Sequence, residues 1–360
     1  MRILVLANFD LGLYNFRKEL LKKLIDMGND VYISCPYGEK IAPLKTMGCK
    51  YIETDIDRRG INPFVDLKLV FKYFKIVKQI APDKVITYTI KPNIYGGIVC
   101  RIKKIPLYVN ITGLGTAFNG NGFLEKVAEI MYKSTFKQAK VAFFENEGNR
   151  DFLVNKGLVP KDKTYCLNGA GVNISEYELK QYPEDGTIHF LFIGRVMREK
   201  GVDELFDAAK RLADERANAV IEIVGPFEDD YTDIVKRLDE DGIIKYHGYQ
   251  NDIKPFIEKA HCIVLPSWHE GMSNTLLEGG ASGRALITSN IHGCMEAVKD
   301  GETGFLVKVK DAGDLYSKMK QFLKMPYEEK YKMSLCSHKF VTDKFDRNKV
   351  VSETVREVLK

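Results

Sequence analysis

The chain has 360 residues, of which 45% are hydrophobic and 29% charged, a balance typical of globular rather than disordered or fibrous proteins. This length exceeds what one hydrophobic core usually supports, so we expect two domains. The seven cysteines are scattered without a Cys-x-x-Cys pair, which favours free thiols in a reducing cytoplasm, and no apolar run approaches the roughly 20 residues that span a bilayer.

Charge is divided unevenly along the chain. The first 175 residues hold 27 Lys and Arg against 16 Asp and Glu, whereas the remaining residues hold 27 against 33. A basic half joined to an acidic half suggests two domains with different partners. Because the basic residues are spread along helical stretches without a recognition motif, nucleic acid is not an expected partner.

In the first half, short apolar strands alternate with helical patterns. A strand at residues 2–7 is followed by a turn at 10–14 and a helix from about 16 to 27. Further strands are predicted at 31–34, 84–88, 107–111, 141–144 and 164–167. Such alternation indicates a mostly parallel, doubly wound sheet. The sequence therefore predicts an α/β domain over residues 1–175.

The same pattern restarts in the second half. Residues 177–186 are rich in Pro, Glu, Asp and Gly and are predicted to form a linker. A helix at 202–217 accompanies strands predicted at 189–194, 219–224, 243–246, 262–265, 285–288 and 304–307. These elements predict a second α/β domain over residues 176–336. The last helical stretch, 327–360, has no strand after it, so residues 337–360 can cross back to the first domain.

The strongest motif lies directly after the predicted strand at 262–265. Glu270 and Glu278 bracket a short turn that leads into a helix. The residues between them begin with Gly271, Met272, Ser273, Asn274 and Thr275. A strand, a turn and a helix N-terminus offer free backbone N–H groups to a phosphate, and ionised carboxylates accept hydrogen bonds from sugar hydroxyls. This combination predicts a sugar-nucleotide site.

A second motif, residues 194–201, follows the first predicted strand of the second domain. It begins with Gly194 and Arg195 and ends with Lys200 and Gly201. Arginine binds a phosphate through two parallel hydrogen bonds and lysine binds it as a compact charge, so this pair can hold a diphosphate. Alternatively, both cations are solvated charges at the end of a strand.

Together these two motifs resemble the family of retaining, nucleotide-sugar-dependent glycosyltransferases with the two-domain GT-B fold, whose bacterial members build capsule, O-antigen and lipid-linked glycans. The resemblance implies two Rossmann-like domains facing across a cleft. It also implies that Arg195 and Lys200 bind the donor diphosphate, Glu278 the ribose and Glu270 the donor sugar, with Arg195, Lys200 and Glu270 as the catalytic set. The implied donor-binding residues are Gly12, Gly194, Arg195, Lys200, His269, Gly271, Met272, Ser273, Asn274, Thr275 and Glu278.

The first domain departs from the family pattern because no histidine precedes His189. Many relatives carry a histidine near the segment that here reads Thr89 to Asn93. The remaining acceptor-side candidates are Lys91, Asn93, Thr112 and Gly113. In a retaining reaction the leaving diphosphate can take the acceptor proton, so a protein base is not required.

No metal or other cofactor is expected, because Arg195 and Lys200 would neutralise the diphosphate. The acid-rich segments 55–57 and 228–230 are interpreted as solvated loop charges. The glycine-rich segment 113–122 lacks the Gly-Lys-Ser/Thr ending of a Walker loop. It is either a wall of the acceptor site or an ordinary connector.

Residues 68–78 form a basic segment interleaved with aromatic residues. One interpretation is a core helix with a solvated side. The other is a helix that contacts an anionic membrane, which would suit a polyprenyl-diphosphate-linked acceptor and a peripheral location at the cytoplasmic face of the membrane.

The predicted function is therefore transfer of a sugar from a UDP-sugar to a glycan acceptor. Two alternatives remain open. One is a sugar-nucleotide epimerase of the same architecture, and the other is a non-catalytic scaffold that binds a nucleotide-sugar.

Overall fold

The computed structural model describes residues 1–57, 62–114, 122–184 and 186–360. The chain folds as two compact units, which comprise residues 1–170 with 348–360 and residues 171–347. Among the described residues, no helix combines the length and apolarity needed to cross a membrane.

Unit 1 is built on a parallel sheet of seven strands in the order β3-β2-β1-β4-β5-β6-β7. The strands are β1 (Arg2–Leu6), β2 (Asp30–Cys35), β3 (Lys50–Glu53), β4 (Lys84–Tyr88), β5 (Leu107–Ile111), β6 (Val141–Phe144) and β7 (Thr164–Cys166). The helices are α1 (Asp10–Asp26), α2 (Ile41–Thr46), α3 (Pro63–Ile80), α4 (Gly97–Lys103), α5 (Gly122–Gln138) and α6 (Glu147–Asn155), with a π-helical turn at Pro92–Gly96 and a 3₁₀ turn at Lys161–Lys163.

Alternate residues of the unit 1 strands enter two apolar clusters. On β1, Leu4 and Leu6 belong to one cluster, whereas Ile3 and Val5 belong to the other. Because successive strand side chains point to opposite faces, both faces of the sheet are covered. This confirms the predicted doubly wound sheet.

Unit 2 contains a parallel sheet of six strands in the order β10-β9-β8-β11-β12-β13. The strands are β8 (Ile188–Ile193), β9 (Ala219–Val224), β10 (Lys245–Tyr246), β11 (Cys262–Leu265), β12 (Ala285–Ser289) and β13 (Gly304–Val307). The helices are α7 (Val202–Asp214), α8 (Thr232–Glu240), α9 (Lys254–Lys259), α10 (Asn274–Ala281), α11 (Ala312–Lys324) and α12 (Tyr327–Phe345), with 3₁₀ turns at Arg198–Lys200 and Met295–Ala297.

The C-terminal region forms two helices rather than the single one predicted from residue 327. Helix α12 ends at Phe345 and α13 (Arg347–Leu359) follows. The helix is interrupted because the backbone at 345–347 pairs with Val172. The Val172 N–H donates to Phe345 O at 2.8 Å, and the Val172 carbonyl accepts from Arg347 N at 3.0 Å. Almost all of helix α13 belongs to unit 1, where Lys84 Nζ donates to Val358 O at 2.6 Å.

Two elements near the N-terminus also differ from the sequence prediction. Helix α1 begins at Asp10 rather than near residue 16, so Gly12 lies in its first turn and not in a preceding loop. The ring of Phe9 folds over Gly12, and a Cβ there would come within 2.7 Å of that ring. Strand β3 was not predicted, because its four residues at the sheet edge are at most half-buried.

Candidate functional site

The connectivity of unit 2 creates a switch point between β8 and β11. The chain leaves β8 toward β9 on one side and leaves β11 toward β12 on the other, while β8 and β11 pair directly with each other. In open α/β sheets, ligands bind outside the carboxyl ends of the strands at such a point. The loops that follow these two strands are the predicted motifs, residues 194–201 and 266–273.

Lys200 and Glu270 meet at this edge of the sheet. Lys200 Nζ forms an ion pair with Glu270 Oε1, and the two side chains are only 19% and 13% exposed. Ser267 Oγ, which is fully buried, donates to the same carboxylate oxygen at 2.9 Å. The diphosphate cation and the sugar-binding acid predicted from separate motifs are therefore in direct contact.

Glycine is required where these loops pass close to other backbone. Gly201 has φ of 72°, and a Cβ there would collide with the carbonyl of Pro266. Gly293, at φ of 91°, packs against Gly271 O and the Glu270 side chain in the same way, with its Cβ position 2.6 Å from Gly271 O. The contact at Gly201 brings the loop after β8 against the loop after β11, and the contact at Gly293 brings the loop after β12 against that same loop.

Arg195, at the end of β8, has a half-exposed side chain. Its Nη1 lies 3.3 Å from Glu228 Oε1, and the exposed fractions of the two side chains are 47% and 22%. The interpretation of residues 228–230 as solvated loop charges was therefore wrong for Glu228, whose mostly buried side chain forms an ion pair with Arg195. Asp229 also has a partner, since its Oδ2 accepts from Arg198 N at 2.9 Å.

Helix α10 directs its N-terminus to the same edge. Ser273 is its N-cap, and Ser273 Oγ accepts from Leu276 N at 3.4 Å. Thr275 Oγ1 ties the first turn to the end of β8 by donating to Ile193 O at 3.2 Å. Asn274 carries a buried side-chain oxygen without a hydrogen-bond partner among the described residues. Unpaired N–H groups at such a terminus attract anions.

Glu278 lies one turn further along α10 and is 9% exposed. Burial raises the pKa of its carboxyl to about 7, although nearby Arg347 and a hydrogen bond with Tyr177 act in the opposite direction. A low-dielectric environment disfavours the charged form, which accounts for the sign of the shift. Glu278 is thus a carboxyl that changes charge near neutral pH.

Other predicted donor-side residues lie around this centre. Met272 is buried, and Gly194 directly follows the last residue of β8. His269 contacts a different acid, with its Nε2 3.1 Å from Glu199 Oε2.

The sequence patterns did not predict Ser267, Tyr177 and Arg347 as partners of Glu270 and Glu278. Only Ser267 carried a signal, because it lies three residues before Glu270 in the same motif.

Unit 1 has a switch point of its own between β1 and β4. After β4, Lys91 Nζ forms an ion pair with Asp66 Oδ1 at 2.7 Å, and these side chains are 15% and 13% exposed. Asn93 is 1% exposed and its Nδ2 donates to Asn110 O at 3.0 Å, so its amide supports the strand ends from within the core.

The remaining acceptor-side candidates follow β5. Thr112 and Gly113 are partly exposed, and Gly113 has φ of 138°. Most of the glycine-rich segment predicted at 113–122 falls in residues 115–121, which lie outside the described residues.

Among the described residues, no group of three or more His, Cys, Asp or Glu side chains is placed to hold a metal ion. Arg195 and Lys200 remain the cations that are predicted to bind the donor diphosphate.

Each of the two units matches a protein-family model. Residues 187–325 match the model described as "Glycosyl transferases group 1", and residues 2–146 match the model "Glycosyl transferase 4-like". Over 355 residues, the chain is 30% identical to the N,N'-diacetylbacillosaminyl-diphospho-undecaprenol alpha-1,3-N-acetylgalactosaminyltransferase of Campylobacter jejuni, which covers 94% of this chain and 93% of that protein.

One further relative and one solved structure are informative. The UDP-Gal:alpha-D-GlcNAc-diphosphoundecaprenol alpha-1,3-galactosyltransferase of Escherichia coli is 26% identical over 272 residues, which cover 70% of this chain and 69% of that protein. The crystal structure of Anabaena HepE in complex with UDP and glucose superposes with a TM-score of 0.81 at 17% identity, and covers 99% of this chain and 98% of that one.

These findings support a transferase over the epimerase and scaffold alternatives. The chain belongs to the glycosyltransferase family described by the group 1 and glycosyltransferase 4-like models, and it has the GT-B fold.

Proposed function

We propose that this glycosyltransferase moves a sugar from a UDP-sugar to a polyprenyl-diphosphate-linked glycan, with retention of anomeric configuration and without a metal ion. The observation that carries the proposal is the convergence of Arg195, Lys200, Glu270 and the N-terminus of α10 at one sheet edge of unit 2. Arg195 and Lys200 would bind the diphosphate, Glu270 the sugar and Glu278 the ribose hydroxyls.

The acceptor class is inferred from the relatives. Both the Campylobacter jejuni and the Escherichia coli enzymes are named for a sugar linked through diphosphate to undecaprenol. The first of them aligns with nearly the whole chain. A lipid-linked glycan is therefore the acceptor that we propose for this chain, with unit 1 as the acceptor-binding part.

The proposed chemistry assigns the charged groups to the leaving diphosphate. The bond from the anomeric carbon to the diphosphate oxygen breaks, and the acceptor hydroxyl oxygen bonds to the same face of that carbon. Its proton passes to the leaving diphosphate. Arg195 and Lys200 stabilise the negative charge that develops there, which is the contribution that positioned cations make in transferase sites.

A basic and apolar face of unit 1 supports contact with the membrane that holds such an acceptor. On α3, Phe64, Leu67 and Phe71 are 79%, 53% and 59% exposed, and Lys68 and Lys75 are exposed beside them. Exposed apolar side chains next to lysines suit an anionic lipid surface. We therefore propose peripheral attachment at the cytoplasmic face of the membrane.

Calorimetry against UDP-glucose, UDP-galactose, UDP-GlcNAc and UDP-GalNAc, in the presence of EDTA, tests the donor site. We expect at least one of these donors to bind, and we expect Arg195→Ala to weaken binding about tenfold or more because a charged hydrogen bond to the diphosphate is lost. Arg198→Ala is the matched control, since the Arg198 side chain is 70% exposed. Absence of binding, or equal binding by Arg195→Ala, would contradict the proposed site.

A further inference from the structure

Both cations proposed to receive the diphosphate already have a carboxylate partner, but the two pairs differ in environment. The Arg195–Glu228 pair is 3.3 Å apart, and the arginine side chain is half-exposed to water. The Lys200–Glu270 pair is shielded, with both side chains less than one-fifth exposed. The two charges of an exposed ion pair interact weakly because water screens them. In a shielded pair, removal of one charge leaves the other without compensation, which is energetically costly.

The surroundings of Lys200 and Glu270 make their charges depend on each other. The Cys294 thiol is fully buried and interacts electrostatically with both Lys200 and Glu270. Burial raises the pKa of this thiol far above the usual range, so the thiol stays neutral. Ser267 Oγ contributes one neutral hydrogen bond to Glu270. The carboxylate of Glu270 is therefore a shielded counter-charge in direct contact with Lys200.

From this geometry we propose that Glu270 occupies the anion position on Lys200 until a donor diphosphate takes its place. Donor binding would then exchange one anion for another on Lys200 and release Glu270 toward the hydroxyl groups of the donor sugar. This inference rests on the proposed function, because it takes Lys200 as a diphosphate ligand and Glu270 as a sugar ligand.

The exchange predicts a difference in affinity between UDP and a UDP-sugar that would not follow if Lys200 and Glu270 bound the donor independently. A nucleotide that lacks the sugar must displace Glu270 from Lys200 without offering the freed carboxylate any hydroxyl groups. UDP would therefore bind with a penalty, which a UDP-sugar recovers through its hydroxyl contacts with Glu270. The site would favour the intact donor over the UDP product.

The test is UDP binding by calorimetry to the wild type, Glu270→Gln and Glu228→Gln. In Glu270→Gln the shielded Lys200 loses its counter-charge, so we expect UDP to bind about fivefold more tightly or better. The same substitution at the screened pair, Glu228→Gln, should change UDP affinity by less than about twofold. The thermal unfolding midpoint of each variant, with and without UDP, verifies that the folded protein is compared and should show the larger UDP-induced rise in Glu270→Gln.

Lys200→Met separates this inference from the proposed function. We expect Lys200→Met to weaken UDP binding, and we expect Glu270→Gln to give no gain when it is combined with Lys200→Met. If Lys200→Met weakens UDP binding but Glu270→Gln does not tighten it, the exchange is overturned and the donor site stands. If neither UDP nor any of the four UDP-sugars binds the wild type, or if Lys200→Met binds UDP as well as the wild type does, the donor assignment and the exchange both fall.

Discussion

At the scale of single residues, Glu278 shows how a binding role and stability can oppose each other. An ionised carboxylate accepts hydrogen bonds from ribose hydroxyls, but this one is placed where burial raises its pKa to about 7 from an ordinary 4.5. The folded protein therefore holds the proton more tightly than the unfolded chain does. Ionisation of Glu278 opposes folding, so the free energy of unfolding should fall as pH rises from about 4.5 to about 7.

Replacing Glu278 by glutamine should remove this penalty. We expect Glu278→Gln to raise the free energy of unfolding at pH 8 by up to about 3 kcal/mol and to change it little at pH 5, while weakening UDP-sugar binding. Thermal unfolding at both pH values measures the effect. Glu240→Gln is the control, because the Glu240 side chain is 66% exposed. A loss of stability in Glu278→Gln that is equal at both pH values would contradict this account.

The residue scale also shows what sequence patterns could and could not predict. Glu270 and Lys200 were predicted because each follows an apolar strand, and the ends of neighbouring parallel strands meet at one edge. Their direct ion pair was not predicted, since the pairing of β8 with β11 is a long-range property of the sheet. Glu228 was misinterpreted for the same reason: its partner, Arg195, is 33 positions away in the sequence.

At the scale of elements, α3 has the core role that its sequence offered as one alternative, and its exposed side fits the proposed membrane contact. Its buried side, which includes Leu69, Tyr73 and Ile76, packs into the core of unit 1. Its exposed side carries Phe64 and Phe71, together with lysines. The helix is thus a core element whose outer face remains available to a lipid surface.

Vesicle sedimentation tests this face of α3. We expect the wild type to bind vesicles containing phosphatidylglycerol but not pure phosphatidylcholine, and Lys68→Glu/Lys75→Glu to reduce that binding about tenfold or more, given about 1 kcal/mol per lysine near an anionic surface. Phe64→Ser/Phe71→Ser should weaken binding as well. Tyr37→Ser, which removes another exposed aromatic ring of unit 1 (70% exposed), should not. Unchanged binding by the charge-reversed variant would exclude α3 as the contact.

The sequence predicted the bounds of strands more accurately than the bounds of helices. Several parallel strands, such as β6 and β11, match their predicted bounds because continuous apolar runs mark them clearly. Helix ends depended on tertiary contacts instead. The start of α1 follows from the burial of Asp10, whose carboxylate accepts from Lys40 N at 2.8 Å, and the break before α13 follows from pairing with Val172.

At the scale of the whole molecule, the chain divides its charge and its motifs between two units. Unit 2 holds the proposed donor ligands at the β8–β11 switch point. The basic first half holds α3 and the acceptor-side candidates. Helix α13 carries the end of the chain back to unit 1, where Arg356 Nη2 donates to the Tyr165 hydroxyl at 2.9 Å.

The most direct test of the central claim is a transfer reaction with an undecaprenyl-diphosphate-linked monosaccharide, the UDP-sugar that binds, and EDTA. We predict a lipid-linked disaccharide whose new linkage has the α configuration of the donor by NMR, and a kcat/KM that falls about 100-fold or more in Lys200→Met. A β-linked product, a reaction abolished by EDTA, or conversion of the UDP-sugar without transfer would contradict the account.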